Sequence, residues 1–574
     1  MNKLFLTLLI FVNVFSYAQS ASIRIDGNFD DWTTNLTTFT DTNESLNGID
    51  LLEFQVTNDA EYLYIKIKAN KEFDLTDGDI IPHDFYLYLD TDNDSNTGFK
   101  VRDDYGAELG IQFGERTLFN NFTGTPKNQV SFSEVGLRVA PTVTSKEFEI
   151  AIPRASVPDG INPLFPSSSV KILVRNRNNF DWLPNLNNVF TYTFNETPTT
   201  PYQPVDINKS DNSFIRIVAY NTKLNSLLDA SKLDEYERLI TVIQPDIIGF
   251  VESADTTVEY IKSLFDSWIP LGTTNGWYVK KHGGEVTVSR WEIIQEWDLD
   301  RQFPVLIDLP DSYGTNLLYT NAHLNCCGAD DRRQRQVDEY AAFVLEAKSP
   351  GGQITLPKNT PIVYSGDLNL VGLSSQLNTL LTGQIQNTNI YGSGAYLDWD
   401  GTELKHDNAL QTDIPMAYTW RSDSSNFPPG KLDFIIYSDY VLNAEKTFVI
   451  QTEEMPSDRL NLFGLQEFDT STASDHFPVV ADFSINRNTL STKENFTFIN
   501  KVFPNPAVDE INIQLNTFDE YSIHLYNAVG NLIVSTTEET NSIQLDITAI
   551  SGGLYHLAIT NSKGERKFIK VLKK

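Results

Sequence analysis

The sequence predicts a three-part protein in which a central α/β domain is flanked by two β-rich segments. Strand-like runs with apolar residues at every second position occupy residues 22–194 and again residues 499–574. In residues 212–485, apolar strand-like runs alternate with helix-like stretches. The first pattern is typical of β-sandwiches and the second of α/β folds. The 574 residues suffice for several domains of about 150 residues each.

Composition and charge narrow the class of protein. Hydrophobic residues make up 40% of the chain and charged residues 21%, as in folded globular domains. There are 44 Lys and Arg against 76 Asp and Glu, so the formal net charge at pH 7 is −32. A field of that sign opposes sequence-independent binding to nucleic acid or anionic membranes. The negative charge does not exclude an enzyme that binds a phosphate group through a bound metal ion.

The first 18 residues predict a secretory signal peptide. Lys3 precedes an apolar run at residues 4–15, and the small-residue site at residues 16–18 follows it. Cleavage after Ala18 leaves Gln19 as the first residue. A membrane span needs about 20 apolar residues, and nothing later in the sequence supplies them.

The first β-rich segment, residues 22–194, predicts a β-sandwich. Its clearest alternating runs are residues 62–67, 85–89 and 148–152, with turn residues between them. Residues 195–211 are rich in Pro, Thr, Asn and Asp without periodicity, which predicts a linker.

The central segment, residues 212–485, predicts alternating strands and helices. Residues 215–220, 247–251 and 362–365 are continuous apolar runs of strand length. Residues 232–243 and 332–348 have helical spacing. A second polar stretch, residues 486–498, predicts a linker to the last segment.

Polar residues recur where the apolar strands of the central segment end. A buried strand has no structural reason to end repeatedly in carboxylates, amides and imidazoles, whereas a divalent cation and an anionic substrate supply one. The residues are Asn221, Glu252, His323, Asp367, Asn369, Asp433, Asp475 and His476.

Hydrolysis of a phosphate ester fits these residue types. Glu252, Asp475 and the amide oxygen of Asn221 are the hard oxygen ligands that Mg²⁺ or Mn²⁺ prefers. Asp433 and His476 fit a carboxylate–imidazole dyad that keeps one tautomer for proton transfer. Asp367 and Asn369 combine an acceptor for attacking water with a donor to the phosphate. In-line attack depends mainly on positioning and charge compensation, so this division of roles is sufficient.

The order of these motifs, with residues 284–290 between the second and the third, resembles the endonuclease/exonuclease/phosphatase superfamily. The resemblance implies a four-layer αββα sandwich and a metal-dependent phosphoric ester hydrolase. It also implies roles for the polar residues. By resemblance, the metal ligands are Asn221, Glu252 and Asp475, the phosphate ligands are His323 and Asn369, Asp367 orients the water, and Asp433 supports His476.

Three features near these motifs leave alternatives open. Thr222 and Lys223 stand where some relatives carry a further acid, so the number of metal ions is open. Arg332 and Arg333 face either a substrate phosphate or the solvated side of a helix. The adjacent Cys326 and Cys327 are two thiols beside the site, a strained bridge or an intermolecular contact, since neighbouring Cα atoms lie about 3.8 Å apart and relaxed disulfides prefer about 4.4–6.8 Å.

The N-terminal sandwich resembles family 9-like carbohydrate-binding modules at residues 25–32, 57–64 and 89–98. The resemblance implies a glycan partner. Acidic residues at every second position, Asp90, Asp92 and Asp94, repel one another and need either a solvated turn or a cation such as Ca²⁺. The loop is not an EF-hand because other residue types occupy the positions of the invariant glycine and of the bidentate glutamate.

The last segment resembles the C-terminal sorting domain of type IX secretion at residues 502–506, 525–530, 550–555 and 567–574. This resemblance implies transport through the periplasm to the outer cell surface or the medium, with the type IX secretion machinery as a partner.

The sequence therefore favours a secreted, divalent-metal-dependent phosphodiesterase or endonuclease acting on extracellular nucleic acid. The acidic balance gives weight to an alternative, an enzyme acting on phospholipid or sugar phosphates. The third hypothesis is a catalytically inert glycan-binding surface protein.

Overall fold

The computed structural model describes residues 23–33, 35–41, 48–121, 128–185, 188–197, 200–349, 354–486, 498–527, 530–562 and 566–574. The chain divides into two compact units, Met1–Leu490 and Ser491–Lys574. The predicted signal peptide and most of the second predicted linker lie outside the described residues. Among the described helices, none has the length and apolar character needed to cross a membrane.

The N-terminal part of the first unit is built almost entirely from antiparallel strands. In chain order its elements are β1 (Thr37–Thr40), β2 (Leu51–Asn58), β3 (Tyr62–Phe73), β4 (Phe85–Asp90), β5 (Phe99–Arg102), β6 (Tyr105–Ala107), β7 (Leu109–Gln112), β8 (Thr117–Asn120), β9 (Asn128–Val130), α1 (Phe132–Val135), β10 (Arg138–Ala140), β11 (Ser145–Pro153), β12 (Ser169–Asn176), β13 (Asp181–Leu183) and β14 (Thr191–Thr193). The strands predicted at residues 62–67, 85–89 and 148–152 are confirmed as parts of β3, β4 and β11.

Apart from the separate antiparallel pair β5–β6, these strands form two sheets around one apolar core. One sheet has the order β1-β2-β3-β11-β10, and the other has the order β13-β12-β4-β7-β8-β9, with β14 paired to β12. The alternate residues Ile65 and Ile67 of β3 and Leu87 and Leu89 of β4 are buried in the shared core. The period-two pattern of the sequence therefore corresponds to the face that each sheet turns toward this core, and the opposite face of β4 is buried in a second cluster with Tyr86 and Tyr88.

The central part alternates strands and helices, as the sequence predicts. Its elements are β15 (Ile215–Asn221), α2 (Leu233–Ile243), β16 (Ile247–Val251), α3 (Val258–Trp268), β17 (Tyr278–His282), β18 (Glu285–Ser289), β19 (Ile293–Glu296), β20 (Gln302–Ile307), β21 (Leu317–His323), α4 (Asp330–Ala347), β22 (Ile362–Asp367), α5 (Ser375–Thr382), α6 (Thr388–Tyr391), β23 (Lys405–His406), β24 (Asp433–Tyr437), β25 (Leu442–Val449), α7 (Ser457–Phe463), α8 (Asp469–Ala473) and β26 (Val479–Ile485).

Two six-stranded sheets form the centre of this part. The first has the order β17-β18-β16-β15-β26-β25 and the second the order β19-β20-β21-β22-β24-β23. Ile217 of β15 belongs to an apolar cluster with Tyr319 of β21, whereas its neighbour Val218 belongs to a cluster with Leu239 of α2. On the second sheet, Leu318 of β21 contributes to a cluster with residues of α4 and α5. Both faces of these strands are therefore buried, which explains their continuous apolar runs.

A buried ion pair fixes β15 to the antiparallel strand β26. Arg216 Nε donates to Asp482 Oδ1 at 2.6 Å, and Nη2 donates to Oδ2 at 2.7 Å. Arg216 Nη1 also donates to the carbonyl oxygens of Ile207 and Ile243. Because both charges are excluded from water, this bidentate geometry is needed to offset their desolvation.

The first predicted linker, residues 195–211, packs against the central part. The Val205 amide donates to the Thr412 carbonyl oxygen, the Tyr202 hydroxyl donates to the Gln411 carbonyl oxygen, and Ile207 is buried. The composition of this stretch indicates irregular backbone, and the structure adds that the backbone is fixed.

The second unit is a five-stranded antiparallel sheet. Its strands are β27 (Ile499–Phe503), β28 (Glu510–Asn527), β29 (Leu532–Asp546), β30 (Gly553–Thr560) and β31 (Arg566–Lys573). The sheet order is β27-β28-β30-β31, with β29 also paired to β28. The first half of β28 pairs with β27 and the second half with β30. Its alternating apolar residues, among them Ile511 and Ile523, form the core of this unit.

Candidate functional site

Strand register brings the predicted site residues to one edge of the two sheets. Asn221 at the end of β15 lies beside Val251 at the end of the parallel strand β16, and Glu252 follows Val251. In the second sheet, His323 lies beside Asp367, and Asp367 lies beside Asp433. The polar residues that end these strands are thus neighbours, although they are far apart in sequence.

Asn221 joins the residues of the two sheets. Its Nδ2 lies 3.1 Å from Glu252 Oε1, 2.9 Å from Asp367 Oδ2 and 3.4 Å from His476 Nε2. Its Oδ1 accepts a hydrogen bond from the Lys223 amide. Seven of the eight predicted residues are connected through this amide and its immediate neighbours, because Asp433 contacts His476, and His323 and Asn369 contact Asp367.

Asp433 and His476 form the predicted dyad. His476 Nδ1 lies 2.8 Å from Asp433 Oδ2, which also accepts from the Thr419 hydroxyl at 2.7 Å. Burial lowers the pKa of His476, but the carboxylates of Asp433 and Asp367 outweigh this effect and raise it to about 9. His476 therefore carries a positive charge at neutral pH, with its Nε2 directed toward Asp367 and Asn221.

Asp367 binds a proton more tightly than an ordinary aspartate does. Burial raises its pKa to about 7, although the charge of His476 opposes the shift. Its Oδ1 accepts from the Asn369 amide at 3.0 Å, and its Oδ2 lies 3.7 Å from His476 Nε2. Such a carboxylate can take up a proton near neutral pH.

His323 is held as a neutral donor. Arg301 Nη2 lies 2.6 Å from His323 Nδ1, and Arg301 Nε donates to the His323 carbonyl oxygen. Burial, with the positive charges of Arg301 and His476, lowers the pKa of His323 to about 3. Because a guanidinium can only donate, Nδ1 accepts and Nε2 carries the proton. That Nε2 lies 3.8 Å from Glu252 and 3.7 Å from Asp367, where it can donate to a ligand oxygen.

The donor set fits a hard divalent cation. Glu252, His323 and Asp367 each offer an atom within 4.8 Å of the others. Since His323 Nε2 carries a proton, only the carboxylate oxygens of this group could bind a cation, and such hard donors suit Mg²⁺ or Mn²⁺. The third predicted metal ligand, Asp475, also lies at the cleft, and there its Oδ2 contacts Lys223 Nζ at 2.9 Å.

Several residues at the site have left-handed backbone conformations. Glu252 has φ +59°, Asn369 has φ +47°, and Lys223 and Leu224 have φ +45° and +51°. Non-glycine residues rarely adopt these angles, and such strain is concentrated at functional sites in folded proteins.

The site opens into a cleft of about 620 Å³. Residues lining it include Glu252, Arg301, His323, Asp367, Asn369, Asp475 and His476, together with the pair Cys326 and Cys327. The two cysteines are joined as a vicinal disulfide, which settles the alternatives left open by the sequence.

Arg333 holds the loop that carries this disulfide. Its Nη1 donates to the carbonyl oxygens of Asn325 and Cys327, and its Nη2 donates to Val371. The side chain is fully buried, whereas Arg332 is exposed. Arg333 thus faces neither a substrate phosphate nor solvent, the two alternatives considered from the sequence.

Two residues of the site are missed by sequence reasoning. Arg301 fixes the tautomer of His323, and Thr419 donates to Asp433. Arg301 lies in a turn before β20, and Thr419 lies in an irregular segment before β24. Neither residue ends a strand-like run, so the pattern that identifies the others gives no signal for them.

Comparison with solved structures finds similarity over about half of the chain. The chain is similar to the human nocturnin catalytic domain with bound sulfate, at 17% identity over 48% of this chain and 95% of that one, with a TM-score of 0.31. It is similar to D. rerio TDP2 complexed with single-strand DNA product, at 13% identity over 48% and 100%, with a TM-score of 0.30. It is also similar to an endonuclease/exonuclease/phosphatase family protein from Leptotrichia buccalis, at 15% identity over 47% and 99%, with a TM-score of 0.29.

Sequence comparison identifies only the last segment. No curated protein matches the chain. Residues 501–574 match the family model of the secretion system C-terminal sorting domain, which confirms the predicted sorting domain and indicates type IX secretion to the cell surface or the extracellular space.

Proposed function

We propose that the chain is a divalent-metal-dependent phosphoesterase whose central part, residues 212–485, is a four-layer αββα sandwich. The observation that carries the proposal is the convergence of Glu252, Asp367, His323 and the Asp433–His476 dyad on one cleft. Carboxylates beside a protonated imidazole and a neutral imidazole donor suit a substrate that is itself anionic.

Glu252 would hold Mg²⁺ or Mn²⁺ together with Asn221, whose side-chain amide would have to turn so that its oxygen takes the place of Nδ2 beside Glu252 Oε1. A bound divalent cation offsets the charge that develops on the phosphoryl oxygens. Asp475 was predicted as a further ligand, but its carboxylate contacts Lys223. We therefore assign Asp475 to the rim of the cleft, where it neutralises Lys223.

The other site residues accept the proton of the attacking water or donate hydrogen bonds to the phosphoryl group. Asp367 accepts a proton from the attacking water at Oδ2, because its raised pKa makes it a base near neutral pH. His476 Nε2–H and His323 Nε2–H donate hydrogen bonds to phosphoryl oxygens, and Asp433 keeps His476 charged. Asn369 supplies a further amide donor at the same end of the cleft.

The test of this function is a comparison of wild type with Glu252→Gln. The matched control is Glu403→Gln, an exposed glutamate of the same part of the chain. We expect EDTA to abolish hydrolysis of bis(4-nitrophenyl) phosphate by the wild type and Mg²⁺ or Mn²⁺ to restore it. Glu252→Gln should lower kcat/KM by about 10²-fold or more. Hydrolysis unaffected by EDTA, or equal in wild type and Glu252→Gln, contradicts the proposal.

The same assay separates the substrate hypotheses. Nucleic acid is the substrate class that the sequence favours, so DNA and RNA are assayed first. Phospholipids and sugar phosphates represent the alternative. An inert glycan-binding protein would hydrolyse none of them and would bind polysaccharide. Export is proposed to begin with removal of residues 1–18 and to end with recognition of the C-terminal sorting domain.

We also propose that the N-terminal sandwich holds Ca²⁺ between Asp90, Asp92 and Glu108. Ligand atoms of the three side chains lie within 4.8 Å of one another. Asp90 and Glu108 are 0% and 2% exposed, and within the described residues Asp90 Oδ1 and Glu108 Oε1 have no hydrogen-bond partner. Buried carboxylate oxygens without partners are costly unless a cation satisfies them. Asp94, included from the sequence, accepts instead from Asn96.

Calcium should raise the thermal unfolding midpoint of the wild type by several degrees. A ligand whose free concentration is 100 times its Kd raises the free energy of unfolding by about 2.7 kcal/mol. Glu108→Gln should remove most of this shift, whereas Asp94→Asn should retain it. The measurement is thermal unfolding followed by circular dichroism with Ca²⁺ or with EGTA. An equal shift in wild type and Glu108→Gln excludes the site.

A further inference from the structure

One wall of the catalytic cleft comes from the N-terminal sandwich. The residues that this sandwich contributes include Asp74, Asp77, Ile80, Val139, Pro141 and Thr142. They come from two of its segments, the one that follows β3 and the one that joins β10 to β11. A substrate bound at His476 and Asp367 therefore extends along residues that lie outside the central part.

The segment between β10 and β11 is tied to the loops that carry the site residues. Thr142 Oγ1 lies 2.9 Å from the Leu370 carbonyl oxygen and 3.2 Å from that of Lys431. Leu370 follows Asn369 directly, and Lys431 stands two residues before Asp433. The Thr144 amide also donates to the Gly372 carbonyl oxygen at 2.7 Å. The wall is therefore fixed relative to the reacting groups.

The second segment of the wall is fixed as well. Arg116 of the sandwich stacks on the ring of Phe427, with its Cζ 4.3 Å from the ring centroid. Phe427 itself lines the cleft. Arg116 also lies 3.9 Å from Asp77, so it connects the acidic segment of the sandwich to the central part.

The side chains that line the cleft differ between the catalytic residues and the sandwich wall. Beside the charged His476, its described cationic residues are Lys223 and Arg301, and these two are paired with Asp475 and with His323. The sandwich wall adds the apolar side chains of Ile80, Val139 and Pro141 and the carboxylates of Asp74 and Asp77. A polymeric nucleic acid needs cations for its successive phosphates, and the described residues of this wall supply none.

We infer that the N-terminal sandwich selects the substrate, admitting a single phosphoryl group attached to an uncharged body that packs on Ile80, Val139 and Pro141. The inference rests on the proposed phosphoesterase function and names the substrate class of that site. It replaces polymeric nucleic acid by small esters, because apolar contact rewards an uncharged group and the wall offers no cation to further phosphates.

The experiment compares two substrates that differ only in the group facing the wall. Bis(4-nitrophenyl) phosphate carries an aromatic ring where methyl 4-nitrophenyl phosphate carries a methyl group. We expect Ile80→Lys to raise KM for the aromatic ester about tenfold and to leave KM for the methyl ester within about twofold. Ile161→Lys, at a residue of the sandwich that is 80% exposed, is the matched control. Ile80→Thr provides a milder variant with the same branched shape.

The outcomes separate this inference from the function on which it rests. Equal changes in KM for both esters, or a wild type that cleaves a single-stranded oligonucleotide more efficiently than the aromatic ester, overturn the selection by the wall. If the wild type hydrolyses no phosphoester, the proposed function fails. Calorimetric binding of phenyl phosphate and inorganic phosphate still tests the wall in that case. Weaker binding of phenyl phosphate alone in Ile80→Lys supports the wall, and unchanged binding overturns it.

Discussion

His476→Ala is expected to lower kcat for phosphoester hydrolysis by about 10³-fold. The wild-type imidazole is charged at neutral pH, and its Nε2 lies within 3.7 Å of Asp367 and 3.4 Å of Asn221. Removal deletes the buried positive charge that stabilises negative charge on the phosphoryl group. It also leaves the fully buried Asp433 carboxylate with its Thr419 partner but without a compensating charge.

The measurement is steady-state kinetics on bis(4-nitrophenyl) phosphate at saturating Mg²⁺, together with the thermal midpoint of each variant. His282→Ala is the matched control, because His282 is exposed and pairs with Asp298 at the surface. The control should retain wild-type kcat. A His476→Ala enzyme that keeps kcat within about tenfold of wild type, below the usual contribution of such a group, would show that this imidazole does not act in the reaction.

The secondary structure of the central part is largely readable from the sequence because its strands are buried on both faces. Continuous apolar runs of strand length, such as residues 215–220 and 247–251, predict strands that are buried on both faces. Polar residues at the ends of such strands are then expected at a sheet edge. That argument predicts that Asn221, Glu252 and Asp367 meet, and the register of β15, β16 and β22 brings them together.

The parts that the sequence does not predict depend on contacts between loops. The pairing of Asp475 with Lys223 joins two irregular segments, and the pairing of Arg301 with His323 joins a turn to the end of β21. Loop conformation is set by tertiary contacts rather than by a local period. The sandwich wall is missed for the same reason, since Thr142 reaches Leu370 across 228 residues of sequence.

The shifted pKa values of Asp367 and His476 predict the pH dependence of the reaction. Asp367 must be deprotonated to accept a proton, so activity should rise as pH increases through its pKa of about 7. His476 must be protonated to donate to the phosphate, so activity should fall as pH increases through its pKa of about 9. The profile of kcat/KM should therefore be bell-shaped, and its two limbs report apparent values of the coupled pair.

Asp433→Asn should move the alkaline limb toward lower pH, and the acid limb less far in the same direction, because the Asp433 charge also raises the pKa of Asp367. The Asp433 carboxylate is the main charge that raises the pKa of His476, and an amide keeps a hydrogen-bonding group but not the charge. We expect a shift of about one pH unit or more, since a neighbouring opposite charge shifts a pKa by about one to three units. Activity at pH 8 should then fall more than activity at pH 6.

Asp331→Asn is the matched control for this profile, because Asp331 is exposed at the start of α4. It should keep both limbs of the wild-type curve. An alkaline limb that stays in place in Asp433→Asn would mean that a group other than His476 controls it. Asp433 would then act by holding the ring in position, and kcat would fall by the same factor at every pH.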